Sequence, residues 1–197
     1  RILGFPLVWD EILSVRVQAA RLMAGYPGDK FSQEQQQKLQ EVIKEYIQTQ
    51  QFNGERPESQ LNLGGIYADL GQPVDAEKAY RKALQLQPQF VPAYINFAQM
   101  LSERGRETEA GNLLNAGINK VPGSADLYHA LGLSQVRQKN LEDAVLSLAK
   151  AAELNVHNRR YQYVYAIALQ SAGDLDRAIK VLQVATGRFP DDVELLY

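Results

Sequence analysis

Few residues in this chain have the type and spacing that chemistry needs. Its 197 residues include two histidines, His129 and His157, and no cysteine. A metal centre needs three or four ligands at compatible spacing, and neither histidine has a third ligand beside it, so each reads as a surface or groove residue. The missing cysteines exclude disulfides, thiolate nucleophiles, thiolate metal sites and the Cys-x-x-Cys-His attachment of c-type haem. No glycine-rich run of a phosphate cradle is present, and Gly64-Gly65 stands alone. The Gly-x-Ser-x-Gly turn of a serine hydrolase is also missing. Asp191-Asp192 lies in an expected loop with no partner acid and reads as solvated or capping charge. Catalytic residues, cofactor site and metal site are therefore all assigned as none, and the chain is expected not to be an enzyme.

One aromatic stretch raises a different chemistry. In NRRYQYVYAIAL (158–169), Tyr161, Tyr163 and Tyr165 alternate with other residues behind two arginines. That pattern fits either a half-buried strand or a basic, aromatic platform for single-stranded nucleic acid. A formal net charge of -2 gives little support to nucleic-acid or membrane-surface attraction. The longest apolar opening, Ile2 to Trp9, is too short to cross a bilayer. Neither nucleic-acid binding nor membrane insertion is expected. An apolar content of 45% with 22% charged residues is ordinary for a folded domain. Because the chain starts at Arg1 rather than Met, it reads as a piece of a longer protein, which leaves localisation open.

The elements that must position these residues come from self-similarity. Pro88, Pro122 and Pro190 sit 34 residues, or a multiple of 34, apart, with Val156 in the one gap. Ala76, Ala110, Ala144 and Ala178 keep that spacing, as do the small residues Gly64, Ala98, Gly132 and Ala166. Together with Leu63, Tyr67, Tyr80 and Ala83, this pattern resembles the tetratricopeptide repeat. The resemblance covers residues 57–192 as four repeats, 57–90, 91–124, 125–158 and 159–192. Gln60, Tyr94, Tyr128 and Gln162 replace the family's early tryptophan, and Gln135 and Val156 make the third repeat the most degenerate. The implied fold class is all-α, a right-handed α-solenoid of helix-turn-helix repeats.

The columns predict first helices over 58–70, 92–104, 126–138 and 160–172, and second helices over 74–87, 108–120, 142–154 and 176–188. Gly64 and Ala76 are expected where the two helices of a hairpin cross. Gly71, Gly105 and Gly173 should provide the left-handed cap that ends a first helix, with Lys139-Asn140 doing so in the third repeat. The prolines should end the second helices by lacking an N–H. Residues 1–56 fall outside the register. Ser14–Gly25 resembles the second helix of a HEAT-type repeat, and Ser32 to Gln35 is a capping box opening a long helix with Leu39, Val42, Ile43, Tyr46 and Ile47 on one face. Residues 193–197 read as the cut-off start of a further first helix. The last full second helix would then expose an apolar face, predicting self-association through the C-terminal repeat.

In the family, first helices line a concave groove. Carried over by position, the resemblance implies a groove of Leu61, Asn62, Ile95, Asn96, Gln99, His129, Leu133, Arg137, Arg160, Tyr163 and Ile167. Tyr163 is the one tyrosine of the three aimed into it. Tyr161 and Tyr165, four residues apart, face neighbouring helices. The carboxylate clamp of co-chaperone repeats is not formed in either possible frame, where its places hold Leu61, Gly65, Asn96, Asp126 and Ala130, or Ile95, Gln99, Ala130, Arg160 and Val164. The asparagine ladder of the O-GlcNAc transferase superhelix is half present, as Asn62 and Asn96. The resemblance therefore implies a non-enzymatic scaffold whose partner is a peptide segment or protein, with the recruiting arm of a multidomain enzyme such as a glycosyltransferase as the alternative. More loosely, the whole layout is similar to the C-terminal repeat region of bacterial multihaem c-type cytochromes. Such a parent would be periplasmic, and otherwise the chain would be cytoplasmic.

Overall fold

A computed structural model of the chain describes residues 5–26 and 28–188. Among them there is no strand. A 3-10 turn (Phe5–Trp9) precedes α1 (Leu13–Met23), and a second (Gly28–Lys30) precedes α2 (Gln33–Phe52). Four hairpins follow: α3 (Pro57–Asp69) with α4 (Pro73–Leu86), α5 (Val91–Glu103) with α6 (Glu107–Lys120), α7 (Ala125–Arg137) with α8 (Leu141–Leu154), and α9 (Arg159–Ser171) with α10 (Leu175–Arg188). Every bound lies within one residue of its expected place. Pro190 and the expected helix start at 193–197 lie outside the described residues. NRRYQYVYAIAL is helical, so its alternation is not that of a strand.

Local chemistry explains these boundaries. Ser32 Oγ accepts the Gln35 N–H at 3.2 Å and Gln35 Oε1 accepts the Ser32 N–H at 2.8 Å, which satisfies two donors that a helix start leaves orphaned. Pro57 and Pro73 open α3 and α4, where a missing N–H costs nothing. Each first helix ends in one motif. Gly71, Gly105 and Gly173 have φ of 69°, 73° and 86°. The N–H groups of Gly71 and Gln72 reach back to Ala68 O and Tyr67 O at 3.0 and 2.8 Å, satisfying two carbonyls at the helix end.

In the third hairpin that conformation falls on Lys139, with φ of 61°, and not on the asparagine beside it. Asn140 is committed elsewhere: its Oδ1 accepts the Asp143 N–H at the start of α8. The second helices also end for a different reason than the prolines alone. Gln87 and Val121, each before a proline, leave helical geometry at φ of -140° and -137°, as steric conflict with the proline ring demands. Asn155 does the same at φ of -135° with valine after it. Asn158, which caps α9, donates its own N–H to Asn155 O at 3.1 Å and so closes the turn there.

The small column is placed where the helices of a hairpin cross, and its nearest contacts lie on the second helix. A methyl carbon at Gly64 would come within 2.5 Å of Tyr80 Cε1, and one at Gly132 within 2.5 Å of Leu148 Cγ. Tyr80 and Leu148 occupy one register position, four residues beyond Ala76 and Ala144.

The chain divides into two compact units, Arg1–Ala93 and Tyr94–Tyr197. In the first, α1 and α2 bury Val17, Ala20, Met23, Val42 and Tyr46 with Val8 and Ile66. Arg16 Nε spans α1 and α2 to Glu45 Oε2 at 2.9 Å. In the second unit, Val145, Leu148, Ala166, Leu169 and Ala178 form the core shared by α8, α9 and α10. Ala151, Ala152 and Tyr161 form a neighbouring cluster with Ala125 and Tyr128.

Candidate partner-binding face

Groove positions fall on the first helices of the hairpins, and the structure gives them unequal freedom. In the first unit Leu61 is half-buried, and Asn62 Nδ2 donates to Gln50 Oε1 on α2 at 3.2 Å, so this amide already has a partner. In the second unit Asn96 and Gln99 are exposed on α5, and Gln99 donates to Glu103 one turn on at 2.8 Å. Ile95 and Leu133 are half-buried.

Arg137 is tied into a network. Its guanidinium bonds Glu107 Oε1 at 3.0–3.1 Å and Ser102 Oγ at 3.1 Å, while Ser134 Oγ donates to the same Glu107 oxygen at 2.6 Å. Three helices, α5, α6 and α7, are stitched by one carboxylate. Burial pushes the Glu107 carboxyl upward, but the hydrogen bonds from Ser134, Arg137 and Ser102 outweigh it and hold it below the usual range.

His129 lies inside the face, not on it. It is 8% exposed, and its ring stacks on Tyr161 with centroids 4.6 Å apart and planes tilted by 32°. Burial, helped by the Arg160 charge and opposed by Asp126, lowers its pKa to about 4. Tyr161 in turn donates its hydroxyl to Asp126 on α7. Burial and that carboxylate push the phenol well above its ordinary value. Tyr165, expected to face neighbouring helices, is half-buried against the core of α8, α9 and α10, and its hydroxyl accepts from Arg177 Nη2 at 2.9 Å.

What stays open is a stripe on α9. Arg160, Tyr163 and Ile167 follow one another at i, i+3 and i+7, so they share one helix face. Tyr163 and Ile167 are 41% and 42% exposed, and Arg160 is exposed with no ion pair within bonding distance among the described residues. The stripe offers an aromatic plane, an aliphatic contact and a cation on one exposed helix face. Among the described residues no group of acids and histidines could hold a metal ion, and no helix is long and apolar enough to cross a membrane.

Sequence reasoning missed two features, the Tyr161–Asp126 bond and the Glu107 network. Their partial signal is a spacing of 35, one more than the repeat, which joins Tyr161 to Asp126 and Arg137 to Ser102.

The geometry agrees with the comparisons. Over 153 residues the chain is 24% identical to human protein O-mannosyl-transferase TMTC3, covering 76% of this chain and 17% of that protein. The chain thus spans about a sixth of that relative's length. In structure it is similar to MamA, with a TM-score of 0.62 at 23% identity, covering 76% of this chain and 87% of that one. It is also similar to YrrB, described as a repeat protein with an unusual peptide-binding site, with a TM-score of 0.57 at 14% identity over 91% and 88% of the two chains. The tetratricopeptide repeat family model matches residues 18–195, taking in α2 and most of α1 as well as the four hairpins. The chain therefore belongs to the tetratricopeptide repeat family, an α-solenoid class built from helix-turn-helix units.

Proposed function

We propose that this chain is a non-enzymatic interaction module that takes up an extended segment of a partner protein along the first helices of its repeats. The exposed Arg160–Tyr163–Ile167 stripe carries this reading, because a half-exposed aromatic beside an aliphatic residue and an exposed cation is a natural anchor for one side chain of a partner. Asn96 and Gln99 add exposed amides suited to an extended backbone. In the second unit Ile95, Leu133 and Arg137 contribute packing and orientation, and the face would run along the first helices of the repeats at 91–124, 125–158 and 159–192. In the first unit Leu61 and Asn62 hold the equivalent positions of the repeat at 57–90. The peptide-binding description of YrrB lends support at the level of fold.

Panning a random-peptide display library on the wild type tests this. Segments selected there should bind a Tyr163→Ala, Asn96→Ala variant ten-fold or more weakly. Equal retention on both proteins would sink the proposal.

A second reading, self-association, is favoured by α10. Val145, Leu148 and Ala151 on α8 are buried, yet Ile179, 34 residues after Val145, is 52% exposed, with Leu175 and Val184 also exposed. Light scattering across a concentration series should show mass rising for the wild type and less so for Ile179→Glu. A constant monomer mass would exclude it. The similarity to an O-mannosyl-transferase supports the alternative of a recruiting arm within a larger glycosyltransferase, whereas a multihaem cytochrome parent rests on the sequence resemblance and needs Cys-x-x-Cys-His motifs in the full-length protein.

A further inference from the structure

Both ring nitrogens of His129 are buried and make no hydrogen bond among the described residues. A neutral imidazole has one donor and one acceptor, and leaving such groups buried without partners is unfavourable. An imidazolium in the same place would be worse, since it carries charge and two donors with no acceptor beside them. The charged and titratable groups that act on the ring are Asp126 on its own helix and Arg160 and Tyr161 on α9. Asp126 would compensate a proton, but it already accepts the Tyr161 hydroxyl. Arg160 opposes one. Glu107 of α6 is engaged further along α7, with Ser134 and Arg137.

Tyr161 is therefore the shared element: its ring covers His129 and its hydroxyl fastens α9 to the first turn of α7. At this end the Tyr161 ring and hydroxyl reach α7 at His129 and Asp126, beside Ala125 and Tyr128, which pack against the same cluster. We infer that protonation of His129 opens the α7–α9 contact, making this joint between the third and fourth hairpins acid-labile while the first unit, which has no such histidine, stays closed.

The sign follows from which form binds the proton more tightly. In the closed joint the imidazole takes up a proton at a pH of about 4, whereas a solvated histidine does so near 6.5. The open form is thus favoured as pH falls below 6.5, and the gain ends below about 4. Well above 6.5 protons no longer favour the open form. At pH 5 the open population should be roughly 30-fold larger than at pH 7.5.

Native-state hydrogen exchange on the whole chain, corrected for intrinsic rates, reads this directly. Between pH 7.5 and 5 the α9 amides should lose roughly 30-fold protection, while α3 and α4 amides hold theirs. His129→Phe, which keeps a ring against Tyr161, and His129→Leu should each abolish that acid-dependent loss, whatever their protection at neutral pH. Parallel loss in α3, α4 and α9, or an unchanged acid response in both variants, would overturn the inference.

Discussion

Lys139 holds a backbone conformation that side chains resist. A left-handed φ costs a residue with a Cβ about 1–2 kcal/mol, and glycine avoids it. The three other hairpins place glycine at this point. Lys139→Gly should therefore stabilise the protein by about 0.5–1 kcal/mol, after allowing for the greater freedom of glycine in the unfolded chain. Urea denaturation would show this as a higher midpoint at unchanged slope, and a lower midpoint would contradict the strain argument. The sequence pointed to Lys139-Asn140 but not to which of the two, because the answer depends on Asn140 being taken up as the cap of α8. The three tyrosines divide by the same logic. That Tyr163 is exposed and Tyr161 buried follows from helical periodicity and was legible. That Tyr161 reaches Asp126 was not, since the bond depends on how one hairpin leans on the next.

At the scale of elements, close approach within a hairpin is set by pairs of positions rather than by single small residues. Gly64 admits the Tyr80 ring, and Gly132 admits Leu148, whose backbone nitrogen would lie 3.3 Å from an added methyl carbon. Gly132→Ala leaves the α7 backbone unstrained and should raise helix propensity, yet overpacking against Leu148 should win. A net loss of about 1–3 kcal/mol is expected, measured as a fall in the thermal midpoint, and no change or a gain would show that α8 gives way without cost. Helix positions were readable because caps, prolines and the 34-residue columns agree with one another. The reason for each end was less readable. Asn155 leaves the helix as Gln87 and Val121 do, without their following proline, which shows the cap of the next helix taking over.

For the whole molecule, family membership was legible from the columns alone, since a period shared by independent positions has few other physical origins. The family match reaches back to residue 18, beyond the register visible by eye. The long α2 and the extended α1–α2 connection break the 34-residue count there without breaking the packing of helix on helix. Functional residues were only partly legible. Position along a repeat places a residue on a first helix, but whether it is free depends on neighbours from other helices. Arg137 and Asn62 are engaged, whereas Arg160 has no ion pair among the described residues, and nothing in their local sequence tells them apart. The same holds for α10, whose apolar exposure can be judged only against what covers α8.

The glycine contacts also bear on how such a chain can be rebuilt. Gly132 accommodates Leu148 and Gly64 the Tyr80 ring, so an alanine from the second or fourth repeat cannot replace either glycine unless its partner side chain moves. A first helix carrying alanine at this place, as the second and fourth do with Ala98 and Ala166, would collide with Tyr80 if grafted onto the first hairpin. Shuffling or consensus redesign of this array must therefore move α3 and α4 together, because only a glycine at position 64 leaves room for the Tyr80 ring, whereas the other second helices carry leucine in place of that tyrosine.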